Sequence, residues 1–215
     1  MCGRYVITNP VSKTKNIVKT AIKVEDIENY NAHPYQKLPV IKKYINGNTL
    51  ENLKWGIVPS WSKNKDFKPL INARLETINE KISFKKLIKI SRCVALADGF
   101  YEWKRQEKNK IPYYFFRKDK KNIYFAGIYE NNEFCLITEQ ASKNINEIHH
   151  RQPVILNEND VNKYLNIELE GSIFLKECKK PDLDFYEISK EVNKPTNNNI
   201  SLIQRVSNQL LNKIF

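Results

Sequence analysis

The chain has 215 residues, 41% hydrophobic and 28% charged, with 36 basic against 24 acidic side chains for a formal charge of +12. This balance excludes a chain too polar to bury a core, and no run approaches the ~20 apolar residues of a membrane-spanning helix. The first residues lack the basic and apolar regions of a secretory signal, so the cytosol is the expected compartment. A cationic excess favours a polyanionic partner. Only seven of the basic residues are arginine, however. A lysine-, asparagine- and isoleucine-heavy chain also arises from genome base composition, so charge alone leaves both readings open.

In chain order, alternation of apolar and polar residues predicts strands at Arg4–Thr8, Val40–Ile45 and Leu50–Trp55, the last two joined by Asn46-Gly47, a strong hairpin signal. The segment Pro59–Pro69 has no period and reads as a long loop. Strands follow at Cys93–Asp98, Tyr113–Phe116, Ile123–Tyr129 and Phe134–Thr138, with Asp119–Asn122 and Asn131-Asn132 as further hairpin loops. Helices are expected at Ser12–Thr20, Phe84–Ile90, Ser142–Ile148 and Asp160–Leu165, with Ser12, Ser83, Ser142 and Asn159 or Asp160 placed to cap them. Asn193–Asn199 is loop-like. Hairpin-joined strands with scattered helices predict an α+β fold, a single domain over residues 1–215 with a mainly antiparallel, barrel-like sheet core flanked by short helices.

Four cysteines, Cys2, Cys93, Cys135 and Cys178, form no C-x-x-C pair and match no zinc spacing. No metal and no cofactor is expected. The last three read as buried, inert thiols. Cys2 is different, because it follows the only methionine, Met1. Loss of Met1 would place a free α-amine and a thiol on one residue. An α-amine has a pKa of about 7.7–8.0, so a substantial fraction is unprotonated near neutrality. It can attack an aldehyde to give an imine, and the thiol can then close a five-membered thiazolidine ring intramolecularly. On position alone, a chance residue at a frayed terminus is the favoured reading of Cys2.

Three histidines are available as acid or base near neutral pH. His149 and His150 stand where a helix passes into an apolar strand, which presents a side chain well but also suits a surface pair. His33 reads as structural. Glu102, flanked by Tyr101 and Trp103, is either a proton shuttle with a pKa raised by desolvation or a solvent-facing strand residue. Trp55, Pro59 and Trp61 could stack on bases and Arg74 could pair with phosphate, although tryptophans singly are more often core.

Met1-Cys2-Gly3-Arg4-Tyr5, Trp55-Gly56-x-x-Pro59-x-Trp61, Asn72-Ala73-Arg74-x-Glu76-Thr77, Gly99-Phe100-Tyr101-Glu102-Trp103 and Ile148-His149-x-Arg151-x-Pro153-Val154-Ile155-Leu156 occur in that order, spanning residues 2 to 203. This set resembles the SOS response-associated peptidases, viewed as abasic-site processing proteins. The resemblance implies that Cys2, freed of Met1, joins covalently to the ring-opened aldehyde of an abasic site in single-stranded DNA. It implies that Asn72 holds the Cys2 amine and the sugar in register, Glu102 manages protons, and His149 opens the deoxyribose ring. Arg4 and Arg74 would bind phosphates, and Trp61 and Pro34 would splay flanking bases. Autoproteolytic removal of Met1, a strand-cleaving lyase step, substrates at single–double-strand junctions, a monomeric state and no membrane partner complete the expectation. Two departures stand out. Gln152 replaces the family's usual methionine, and the late pattern Val192-Asn193-Lys194-Pro195-Thr196-Asn197-Asn198 loses its final carboxylate. Two other functions compete: a Cys/His peptidase with Cys2, His149 and Asn72 as its triad, and a non-catalytic single-strand binder.

Overall fold

The computed structural model describes residues 2–64, 66–107 and 109–206. The expected removal of Met1 falls on a residue outside them. The elements are β1 (Tyr5–Thr8), α1 (Pro10–Thr14), β2 (Thr20–Ile22), β3 (Glu28–Ala32), β4 (Lys37–Tyr44), β5 (Gly47–Trp55), β6 (Asn72–Arg74), α2 (Leu87–Ile90), β7 (Arg92–Ala97), β8 (Gly99–Gln106), β9 (Asn109–Arg117), β10 (Ile123–Glu130), β11 (Glu133–Gln140), α3 (Lys143–Asn146), β12 (Arg151–Pro153), β13 (Ile155–Leu156), α4 (Glu158–Leu165), α5 (Gly171–Glu177) and β14 (Leu183–Glu187). No helix among the described residues is long and apolar enough to cross a membrane.

The fold is α+β and mostly strand, as the alternation predicts. Strands β11, β10, β7, β4 and β5 follow one another in one sheet, and β5 pairs back onto β11 in parallel, so these strands close into a ring. Strand β7 is buried along its whole length between β10 and β4. A second sheet, ordered β14-β9-β8-β1-β3, packs against the ring. Its strand β1 sends Tyr5 into the core, 5.2 Å from Trp55 and 5.7 Å from Phe125 between ring centroids, and Trp55 stacks on Phe134. Burial of such rings is the dominant stabilising term here.

The structure corrects several expectations. The helix over Ser12–Thr20 ends at Thr14, because Lys19 donates its N–H to the Asn48 carbonyl and Thr20–Ile22 pairs with β5 as a strand. Ser12 donates to Asp26 instead of capping. The N-cap positions of α2 and α4 fall on Lys86 and Asn157, neither of which makes a side-chain cap bond, so Ser83, Asn159 and Asp160 do not serve there; Ser142 holds the N-cap position of α3, also without such a bond. Asn46-Gly47 and Asn131-Asn132 do turn hairpins. Asp119–Asn122 does not, since β9 pairs with β8 and β14 while β10 pairs with β7, β11 and β13, so this turn carries the chain between sheets. Cys93 and Cys135 are buried, whereas Cys178 is only half-buried.

Candidate active site

Register delivers the N-terminal residues to the site. Tyr5 lies opposite Phe100 of β8 and Val6 opposite Gly99, and the Tyr101 N–H donates to the Arg4 carbonyl at 3.0 Å. Gly99 is required there, because a Cβ would come within 2.5 Å of the Phe115 carbonyl oxygen and 2.4 Å of the Tyr114 ring. Continuing past Arg4 brings Cys2 to full burial.

Strand alternation decides the two readings of Glu102. Residues two apart on a strand share a face, so Glu102 lies on the side of Phe100, whose ring stacks on Phe115. Tyr101 and Trp103 take the other side and pack with Tyr114, Tyr186 and Val192. Glu102 is therefore 3% exposed and not in solvent, and burial raises its pKa. Burial also pushes the Cys2 thiol well up, with the neighbouring Glu102 charge adding to the shift.

Asn72 reaches Cys2 from the opposite direction. The three-residue strand β6 runs parallel to β11, with Asn72 opposite Leu136 and Arg74 opposite Thr138. Ala73 faces the core, and Asn72 and Arg74 share the other face. The Asn72 Nδ2 donates to the Cys2 carbonyl at 3.0 Å, while its Oδ1 is buried with no donor among the described residues.

His149 follows α3, and its backbone N–H closes onto the Ile145 carbonyl. Its Nδ1 stands 3.0 Å from the Arg151 N–H, which donates to it in the tautomer protonated at Nε2. Burial lowers its pKa to about 4, so the ring is neutral at pH 7. His150 stacks on it at 4.5 Å. A thiol raised in pKa and an imidazole lowered in pKa are opposite to the resting thiolate–imidazolium pair of Cys/His peptidases.

His149, Glu102 and Arg4 line one cleft of about 390 Å³ together with Trp103, Arg105, Lys110 and Asn193. Arg74 lies next to it, in a cleft with Arg151 and His150. Arg151 is committed to Glu76 through a two-pronged ion pair of 2.7 and 2.9 Å, which holds the Glu76 carboxyl below its ordinary pKa. Trp61 is 51% exposed and sits edge-on to Phe67, and Pro34 is half-buried between β3 and β4; neither lines the cleft. His33 turns its Nδ1 to the Pro34 carbonyl, as a structural residue would.

Sequence reasoning missed Asn31. It is 1% exposed, accepts from Arg4 Nη1 at 2.6 Å, and donates through Nδ2 to the carbonyls of Val192, Lys194 and Asn197. Val192 also accepts from Arg4 at 2.9 Å, and Asn193 accepts from the Trp103 indole at 2.8 Å. The late Val192-Asn193 pattern is thus the strap that holds Arg4 and Trp103. Its recurrence in the family pattern was the available signal, whereas nothing distinguishes Asn31 in an asparagine-rich chain. No cluster of metal ligands occurs among the described residues.

Comparison with known proteins gives a consistent picture. A family model described as SOS response associated peptidase matches residues 1–195. The abasic site processing protein YoqW of Bacillus subtilis is 33% identical, the match covering 95% of this chain and 99% of that protein. YedK of Escherichia coli, another abasic site processing protein, is 29% identical over 96% of this chain and all of its own length. A crystal structure of a protein from Bacteroides thetaiotaomicron shares the fold with a TM-score of 0.81 at 24% identity, over 95% of this chain and all of that one.

Proposed function

The chain belongs to the SOS response associated peptidase family, and from that premise we propose that it processes abasic sites in single-stranded DNA by forming a thiazolidine through Cys2. The names of the relatives YoqW and YedK support the substrate class. The route is supported above all by one observation: Cys2 is buried with its carbonyl on Asn72 and its thiol within the field of Glu102.

Removal of Met1 frees the Cys2 amine. The amine attacks the aldehyde carbon of the ring-opened deoxyribose, and the resulting carbinolamine loses water to give an imine. Glu102, kept protonated to higher pH by burial, donates the proton that the departing hydroxyl needs. The thiol then adds to the imine carbon and its proton passes to nitrogen. The net change is one molecule of water released for one aldehyde consumed. His149, neutral at pH 7, accepts the sugar hydroxyl proton as the ring opens. Asn72 fixes the Cys2 backbone and offers its buried Oδ1 to the amine. Arg4 and Arg74 hold phosphates on either side, and Trp61 and Pro34 meet flanking bases. The same residues carry out removal of Met1, and a lyase step would begin from the imine.

Intact mass of the purified protein, before and after adding single-stranded DNA with one abasic site, tests this. The expected masses are those of the chain lacking Met1, then that chain plus the oligonucleotide less one water. Cys2→Ala should abolish the adduct on a denaturing gel. An adduct that survives Cys2→Ala refutes the proposal.

A further inference from the structure

We propose that the DNA-binding groove extends beyond Arg74 into a basic track, formed by Lys118, Lys143 and Lys176, that holds the phosphates of one single-stranded flank of the lesion. This rests on the reading of the protein as an abasic-site processor. Three clefts adjoin one another. The first contains Arg4, Glu102 and His149. His149 stacks on His150, which lines the second with Arg74. Gln140 is shared between the second cleft and a third of about 590 Å³.

The third cleft is lined by four lysines, Lys118, Lys143, Lys176 and Lys180, against two carboxylates, Glu139 and Asp182. Lys180 is consumed internally: it lies 3.7 Å from Glu139 and donates to the Leu175 and Cys178 carbonyls. Lys118, Lys143 and Lys176 are exposed and form no ion pair among the described residues. They come from three separate places, the end of β9, helix α3 and helix α5, yet all face one groove.

Another cleft of similar size, about 640 Å³, shows the contrast. It sets Asp119, Glu158 and Asp160 among its cations, and Arg117 and Lys163 are paired to Asp119 and Asp160. A polyanion gains little there. In the third cleft Lys118, Lys143 and Lys176 form no ion pair with Glu139, Asp182 or any other carboxylate among the described residues. Repeated phosphates are the ligand that such spacing attracts, by displacing condensed counterions. Continuity with Arg74 identifies those phosphates as belonging to the same strand as the lesion.

The experiment uses single-stranded oligonucleotides with one abasic site, either with two long flanks or with one flank trimmed to two nucleotides. Adduct formation is measured against DNA concentration and salt for the wild type and for K118Q/K143Q/K176Q. For the wild type, trimming one particular flank should raise the half-saturating DNA concentration about tenfold, and trimming the other should not. The variant should match the wild type on the trimmed substrate, lose the long-flank advantage, and show a salt slope of log K lower by about 2, at ~0.7 per phosphate. An unchanged slope and an intact long-flank advantage overturn the track, as does an equal loss on the trimmed substrate. If the wild type forms no adduct at all, the abasic-site reading has failed instead. Equilibrium binding of undamaged single strands, with the same variant and the same salt series, then decides the track by the same slope.

Discussion

Replacing Asn72 with alanine separates what the amide does for the fold from what it does for the reaction. The Nδ2 bond to the Cys2 carbonyl, 3.0 Å long, contributes about 1 kcal/mol to stability. The Oδ1 is buried without a donor among the described residues, which costs about 1–3 kcal/mol. Alanine relieves the Oδ1 but leaves the buried Cys2 carbonyl without its donor, two costs of similar size, so the variant should lie within about 1 kcal/mol of wild type. For a chain of this length, 1 kcal/mol moves Tm by about 2–4 °C. Asn72→Ala should therefore melt within about 4 °C of the wild type. Its rate of adduct formation should fall about 100-fold or more, the usual effect of losing one preorganised polar group at a reacting centre. Thermal melts by circular dichroism and single-turnover adduct formation on denaturing gels give the two numbers from one preparation. A Tm lowered by more than about 4 °C, or an adduct rate close to wild type, refutes the reasoning. Asn72→Asp provides the converse, since it keeps acceptors facing the Cys2 carbonyl and should melt below the alanine variant.

Glu102→Gln should abolish most adduct formation, while gaining stability relative to wild type as pH rises. A carboxyl whose folded pKa is raised ionises first in the unfolded chain, so the wild type loses stability between the ordinary carboxylate value and the folded one; urea midpoints at pH 4 and pH 7.5 measure this. His149 acts in the opposite sense: with its pKa lowered from 6.5 to about 4, the unfolded chain takes up the proton first as pH falls, so stability declines from pH 6.5 towards 4. His149→Gln should flatten that part of the urea-midpoint profile. Asn31→Ala removes four buried or half-buried hydrogen bonds at about 0.5–1.5 kcal/mol each, so Tm should fall by about 4–24 °C. Asn31→Ala should also weaken binding of abasic DNA, because Arg4 loses its anchor.

Much of the architecture is legible because strand alternation is local. Ile123–Tyr129 and Phe134–Thr138 declare themselves by period, and Asn131-Asn132 by its turn chemistry. The segments missed are those whose structure is imposed from afar. Asn72–Arg74 is three residues long and is a strand only because β11 accepts it in parallel register. Leu183–Glu187 alternates weakly and is fixed by pairing with β9. The turn at Asp119 fails as a hairpin because Arg117 grips both Asp119 and Asn157, tying the turn to the start of α4. The site divides the same way. Cys2 and His149 stand out in sequence because their chemistry is rare in this chain, which has three histidines and one cysteine beside its start, and Glu102 because aromatic residues flank it. Asn31 and Asn193 are not, since an asparagine acquires meaning only from the carbonyls and indole it meets.

Charge is the clearest case of meaning that resides in tertiary structure. A total of +12 says little about a partner while its lysines are scattered along the chain. Folding divides the same cations into two populations. Lys13, Lys42 and Lys180 are spent on Asp98, Glu51 and Glu139, whereas Lys118, Lys143 and Lys176 converge on one groove and form no ion pair among the described residues. Only the second population can release counterions to a nucleic acid, so it alone should set the salt dependence of the flank. Neutralising paired lysines should then alter stability and leave the salt slope as it was, while neutralising the three groove lysines should do the reverse. Lys42→Gln, measured beside the triple variant, supplies that comparison: a fall in its salt slope of about 0.7, one charge's share of the triple variant's loss, would mean that net charge, rather than the arrangement of charge, governs binding.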